Sequence, residues 1–160
     1  MYTEPEQQEM QADPDWLLRQ AEALLDGYED PVANAANLAA LLFHSLPDVN
    51  WAGFYFLQDG RLLVGPFQGR PACVEIPLGR GVCGTAAASR KIQRVADVDD
   101  FEGHIVCDVA SRSEIVLPLI RNGELLGVLD IDSPVLDRFG PEDERLLAGI
   151  CEIYVRSLGD

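Results

Sequence analysis

Ile115-Val116-Leu117-Pro118-Leu119-Ile120-Arg121-Asn122-Gly123-Glu124-Leu125-Leu126-Gly127-Val128-Leu129-Asp130-Ile131-Asp132 is the stretch that decides the fold. Two β-rich runs flank Asn122-Gly123, a short-range hairpin signal. The register of that hairpin determines which side chains share a face, because strand residues alternate sides. A two-residue turn with an unbroken ladder pairs Arg121 with Glu124 and leaves Glu114 on the face opposite Asp130 and Asp132. A three-residue loop from Arg121 to Gly123, with a bulge at a left-handed Gly123, pairs Ile120 with Glu124. Glu114 then stands opposite Asp130. The three-residue loop is expected, because only that register gathers the acids. Asp130 and Asp132 continue a row that Leu126 and Val128 begin.

Working back from the hairpin, Ala96 to Ser111 is polar and without period, and reads as a long loop. Lys91 to Val95 is a short strand. The run Gly79-Arg80-Gly81-Val82-Cys83-Gly84-Thr85-Ala86-Ala87-Ala88 opens a short helix packed by its small residues. Val49 to Leu57 and Arg61 to Phe67 are strands joined by Gln58-Asp59-Gly60. Two helices precede them, each starting at an Asp-Pro pair (Asp13-Pro14 and Asp30-Pro31) that supplies an N-cap and a first-turn proline. Beyond the hairpin, Gly140-Pro141-Glu142 opens a terminal helix with Leu147, Ile150, Cys151, Tyr154 and Leu158 on its apolar stripe. The order implies an α+β fold: an antiparallel sheet with helices on one face and a long loop on the other. Residues 1–12 read as a flexible arm and 13–160 as one catalytic domain.

The 160 residues are 48% hydrophobic, enough for one substantial core. Twelve Lys and Arg against 27 Asp and Glu give a net charge of −15, which disfavours nucleic acid and phosphorylated ligands. The sequence contains neither a membrane-length apolar run nor a basic leader. A cytoplasmic location and reduced or reversibly oxidised cysteines are therefore expected.

Three acids on one face repel one another and raise one another's pKa, which a bound cation or a shared proton offsets. A ligand ammonium is the favoured cation. No His-x-x-His or Cys-x-x-Cys spacing supports a metal, although His104 lies near Cys107. Against this stands the plain reading of Asp130 and Asp132 as a strand end emerging into solvent.

Cys107 sits in the long loop, where a thiol is reachable. Cys83 starts a helix, whose dipole favours a thiolate, or else is simply a small buried residue. Cys73 precedes a short extended stretch. Cys151 reads as core. Trp51 and Tyr55 share a strand face across Gly53, and the gap at that glycine leaves room for a small apolar group such as an S-methyl.

These segments resemble the free methionine-(R)-sulfoxide reductases, enzymes built from a single GAF domain. The resemblance spans Asp13 to Leu158 and rests on Asn50-Trp51-Ala52-Gly53-Phe54-Tyr55, Gly79 to Gly84, His104-Ile105-Val106-Cys107-Asp108, Ser111 to Val116 and Gly127 to Ser133. It implies a GAF-like sheet of about six antiparallel strands, often assembled as a homodimer. It further implies that Cys107 attacks the sulfoxide sulfur and that Cys73 resolves the sulfenic acid, with Cys83 a second candidate. Thioredoxin would reduce the resulting bridge, and no cofactor would be bound. Glu114, Asp130 and Asp132 would hold the substrate ammonium and help protonate the sulfoxide oxygen, while Trp51 and Tyr55 enclose the methyl end. Carboxylates raise a nearby thiol's pKa, so the acids serve as cation binders and proton source rather than as thiolate activators. The competing readings are a GAF-type ligand sensor without catalysis and a zinc-binding or scaffold protein. The sensor is disfavoured because no output domain follows the terminal helix and because cyclic nucleotides carry a phosphate.

Overall fold

The computed structural model describes residues 13–159; the expected N-terminal arm lies outside them. The Asp-Pro signals act as anticipated. Asp13 Oδ1 accepts from the Asp15 amide at 3.0 Å and Asp30 Oδ1 from the Ala33 amide at 2.8 Å, opening α1 (Pro14–Leu25) and α2 (Pro31–Ser45). The chain continues through β1 (Trp51–Gln58), β2 (Arg61–Gly69), β3 (Glu75–Pro77), α3 (Gly81–Ser89) and β4 (Gln93–Val95). After the loop come β5 (Ser113–Arg121), β6 (Glu124–Ser133) and α4 (Pro141–Ser157). All six strands are antiparallel, in the order β3-β2-β1-β6-β5-β4.

The sheet separates two apolar layers. Ala52, Phe54, Ile115, Leu117, Leu119, Leu129 and Ile131 face α1, α2 and α4. On the other side Trp51, Tyr55, Val116 and Val128 meet Val82, Cys83, Ala86 and Ala87 of α3. One helix thus joins the loop on the second face, because its Gly and Ala residues allow close approach to the sheet. Among the described residues no helix is long and apolar enough to cross a membrane.

The hairpin reaches the expected gathering of acids by a different device. Arg121 pairs with Glu124 across a two-residue turn, with Asn122 and Gly123 both left-handed (φ 50° and 83°), the combination that type I′ turns require. There is no three-residue loop and no bulge at Gly123. The ladder instead slips by one between Leu119 and Ile120: Ile120 pairs with Leu125, Leu119 with Gly127. This bulge restores the parity, so Glu114 faces the same side as both aspartates, but opposite Asp132 rather than Asp130. It also turns Leu126 to the helix layer and Leu125 to the site layer, so Leu126 does not begin the acid row.

Gly127 makes the slip feasible. Its φ is 156°, and a Cβ there would drive into the Tyr55 carbonyl of the neighbouring strand. Gly127→Ala is expected to destabilise the fold by about 3 kcal/mol, seen as a lower denaturation midpoint with unchanged slope. A loss below about 1 kcal/mol would mean the bulge relaxes freely.

Candidate active site

The register places two rows of residues on the site face. Trp51, Asp132 and Glu114 lie across β1, β6 and β5 in one row; Gly53, Asp130 and Val116 form the next. Glu114 and Asp130 are only 7% and 5% exposed, so the plain reading of a strand end in solvent does not hold. One side-chain oxygen of Asp130 and one of Asp132 are buried without a hydrogen-bond partner, a costly arrangement in a finished core. Burial is the leading cause that raises the pKa of all three carboxyls, and mutual repulsion adds to it. Protons are therefore retained in the cluster well above the usual carboxylate range.

Cys83 belongs to the floor of this site. It is buried and free, and its thiol donates to Glu114 Oε1 at 3.8 Å. The expected helix-dipole effect is overturned here. Desolvation, followed by the charges of Asp130, Glu114 and Asp132, pushes the thiol pKa well up and keeps it protonated. Donor atoms of Cys83, Glu114 and Asp130 lie within 4.8 Å of one another, the group among the described residues best able to hold a metal.

The loop after β4 closes the site from above. Cys107, in that loop, is joined to Cys73, which lies ahead of β3, with their Cα atoms 5.3 Å apart. The Tyr55 hydroxyl donates to the Cys73 carbonyl at 3.1 Å and the Trp51 indole to the Arg70 carbonyl at 3.1 Å, so both rings also fix the segment carrying Cys73. Desolvation raises the Tyr55 pKa and keeps the phenol a donor.

The two rings stack at 5.8 Å, and Phe67 also stacks on Trp51 at 5.1 Å. Room for a methyl group at Gly53 is not found. The Trp51 ring and Phe67 close over that glycine, and it is the ring surfaces that line the cavity.

His104, Asp108 and Ser111 complete the wall; of these only His104, as a neighbour of Cys107, stands out in the sequence. Asn50 donates to Asp108 Oδ2 at 3.4 Å and to Ser111 Oγ at 3.2 Å, tying the cysteine loop to the start of β1. His104 Nε2 lies 4.0 Å from Glu114 Oε2. Burial lowers the His104 pKa, partly countered by Asp99; the neutral ring is therefore a polar neighbour of Glu114, beyond hydrogen-bond distance, rather than its counter-ion. For Asn50, Asp108 and Ser111 the only hint in the sequence is their place in the quoted segments.

Trp51, Tyr55, Cys83, Cys107, Glu114, Asp130 and Asp132 thus line one cavity, with Cys73 in its roof through the bridge. With the bridge formed, the enclosed space is about 40 Å³, room for water but below the ~300 Å³ of ordinary small-molecule sites.

The GAF domain model matches residues 30–157. Free methionine-R-sulfoxide reductase of Escherichia coli is 57% identical over 129 residues, covering 81% of this chain and 78% of that protein. Protein YtsP of Bacillus subtilis is 54% identical over 159 residues, covering 98% of each. The free methionine-R-sulfoxide reductase of Neisseria meningitidis, solved in complex with its substrate, superposes with a TM-score of 0.89 at 38% identity, covering 99% of this chain and 93% of that one. With this identity and coverage, and a superposition this close, the chain belongs to the GAF domain family, in the branch of the free methionine-R-sulfoxide reductases.

Proposed function

We propose that the chain reduces free L-methionine-(R)-sulfoxide to L-methionine, residues 13–160 acting as one catalytic unit. The observation that carries this reading is the Cys73–Cys107 bridge set over three buried carboxyls. The acids take the substrate ammonium, which offsets their repulsion and satisfies the unpartnered aspartate oxygens. Methionine within a peptide has no α-ammonium to place there. Each charge-assisted hydrogen bond contributes roughly 1.5–3 kcal/mol, so the free amino acid is strongly preferred.

The retained protons have a second use. Protonating the sulfoxide oxygen makes the sulfur electrophilic and offsets a weak nucleophile. Cys107 attacks that sulfur to form an S–S bond; the hydroxyl then passes from the methionine sulfur to Cys107 as the S–O and S–S bonds break, so methionine leaves and Cys107 becomes a sulfenic acid. The Cys73 thiol displaces that oxygen as water and closes the bridge. Trp51 and Tyr55 contact the S-methyl end.

Thioredoxin then supplies two electrons and returns both thiols. Reduction also releases the cysteine loop from its tether, which opens the cavity to the next substrate. No bound cofactor takes part in this scheme, which fits a reducing cytoplasm, and homodimeric assembly follows the resemblance.

A coupled assay with thioredoxin and both sulfoxide epimers tests the reading; equal rates on the two epimers, or no rate on either, would defeat it. Cys73→Ser should form about one methionine per chain in a single turnover and then stall with thioredoxin, because the sulfenic acid has lost its resolving thiol. Continued cycling by that variant would transfer the resolving role to Cys83, the other thiol of the site.

A further inference from the structure

We propose that exposed valines around the Cys73–Cys107 bridge form the docking surface for a protein dithiol of the thioredoxin type, and that this partner attacks the Cys73 sulfur. The inference rests on the proposed redox role of the bridge, and adds where the reductant sits and which sulfur it takes.

Val74 and Val106 are each 62% exposed and Val109 is 85% exposed. Single exposed valines are ordinary, but these three converge. Val74 adjoins Cys73, Val106 adjoins Cys107 and Val109 lies two residues beyond. With the bridged Cα atoms 5.3 Å apart and about 3.8 Å between successive Cα atoms, the Cα of each valine lies within about 8 Å of a bridged one, so the three flank the bridge as an exposed apolar collar.

The bridge at the centre of the collar says what covers it. Cys73 and Cys107 are both half-buried residues, and a partner seated there must bring a thiolate up to their bridge, so a protein dithiol fits the site. The chain's charge of −15 gives no attraction to another acidic protein, and leaves apolar contact to hold the encounter.

The two sulfurs are not equivalent. Cys107 lines the cavity, whereas Cys73 does not and its carbonyl is pinned by Tyr55. A thiolate arriving from outside therefore bonds to Cys73 Sγ, the Cys73–Cys107 bond breaks, and Cys107 leaves as thiolate toward the cavity and takes up a proton. The partner's second thiol, as thiolate, next attacks the partner's own sulfur in the mixed disulfide and releases the Cys73 thiolate, which is protonated in turn. The partner leaves as its disulfide, so two electrons have passed and both cysteines are reduced.

The test compares thioredoxin, kept reduced by its reductase and NADPH, with dithiothreitol as a reductant that needs no docking. Val106→Glu and Val109→Glu should each raise the KM for thioredoxin roughly tenfold, the effect of removing one buried aliphatic side chain from an interface. Turnover driven by dithiothreitol should stay at the parent rate, which also shows that both variants fold. A thioredoxin lacking its second cysteine should be trapped on Cys73 in peptide maps of the oxidised protein. An unchanged thioredoxin KM in both variants would overturn the docking surface, and trapping on Cys107 would overturn the choice of sulfur. No turnover of the parent protein even with dithiothreitol would instead defeat the proposed reaction itself.

Discussion

Cys107→Ser is expected to abolish thiol-driven reduction of free methionine-(R)-sulfoxide, with kcat falling by at least about 10³-fold, as for other enzymes that lose their nucleophile. A serine hydroxyl cannot take the sulfoxide oxygen and return it through a disulfide, so no residual route runs through the same position. The acids and rings proposed to hold the substrate are untouched, and binding by calorimetry should change only a few-fold. Kinetics and binding together separate the competing readings. A ligand sensor would bind equally well in both proteins and show no thiol-dependent turnover in the parent. Undiminished turnover by the variant would move the nucleophile to Cys83, where burial and three neighbouring acids oppose a thiolate. That opposition is why Cys107 is the stronger candidate.

What the sequence revealed of the site, and what it hid, both trace to particular residues. Alternation along β6 put Asp130 and Asp132 on one face, and the need to gather Glu114 required a break in register. Where the break lies was not legible. Asn122-Gly123 satisfies a two-residue turn by itself, and the slip falls at Gly127, whose role depends on the approach of Tyr55 from another strand. For Cys83 the two readings, helix-start thiolate and small buried residue, could not be separated for a similar reason, and it is the buried residue that holds. Its place at a helix start is local information, while the carboxyls that raise its pKa come from β5 and β6, more than thirty residues on. At Gly53 the expected gap is filled by Phe67 of the neighbouring strand. His104 and Asn50 acquire meaning only when the loop folds over the sheet. Local signals thus read well wherever a side chain acts within its own element, and poorly wherever two elements must meet.

Asp132→Asn should lower kcat/KM by roughly 100-fold, the equivalent of removing one charge-assisted hydrogen bond from the transition state, while leaving the fold as stable as before or more so. The sign follows from the buried acid. Desolvation and the neighbouring carboxyls hold the folded pKa of Asp132 well above its ordinary value, so the folded protein keeps a proton that the unfolded chain releases near pH ~4. Stability from such a group is complete below that pH and is lost as pH rises toward the folded pKa. Asparagine fills the same space with nothing to ionise. The variant should therefore lose less of its Tm than the parent between about pH 5 and pH 8, and should match or exceed it at the upper end of that range. Substrate reverses the comparison: free methionine-(R)-sulfoxide should raise the parent's Tm at about pH 8 and barely move the variant's, because the ammonium stabilises an anion that only the parent can form. If Tm and kcat/KM fell together in Asp132→Asn, the residue would be supporting the sheet, and the ammonium would have to be held by Glu114 and Asp130 alone.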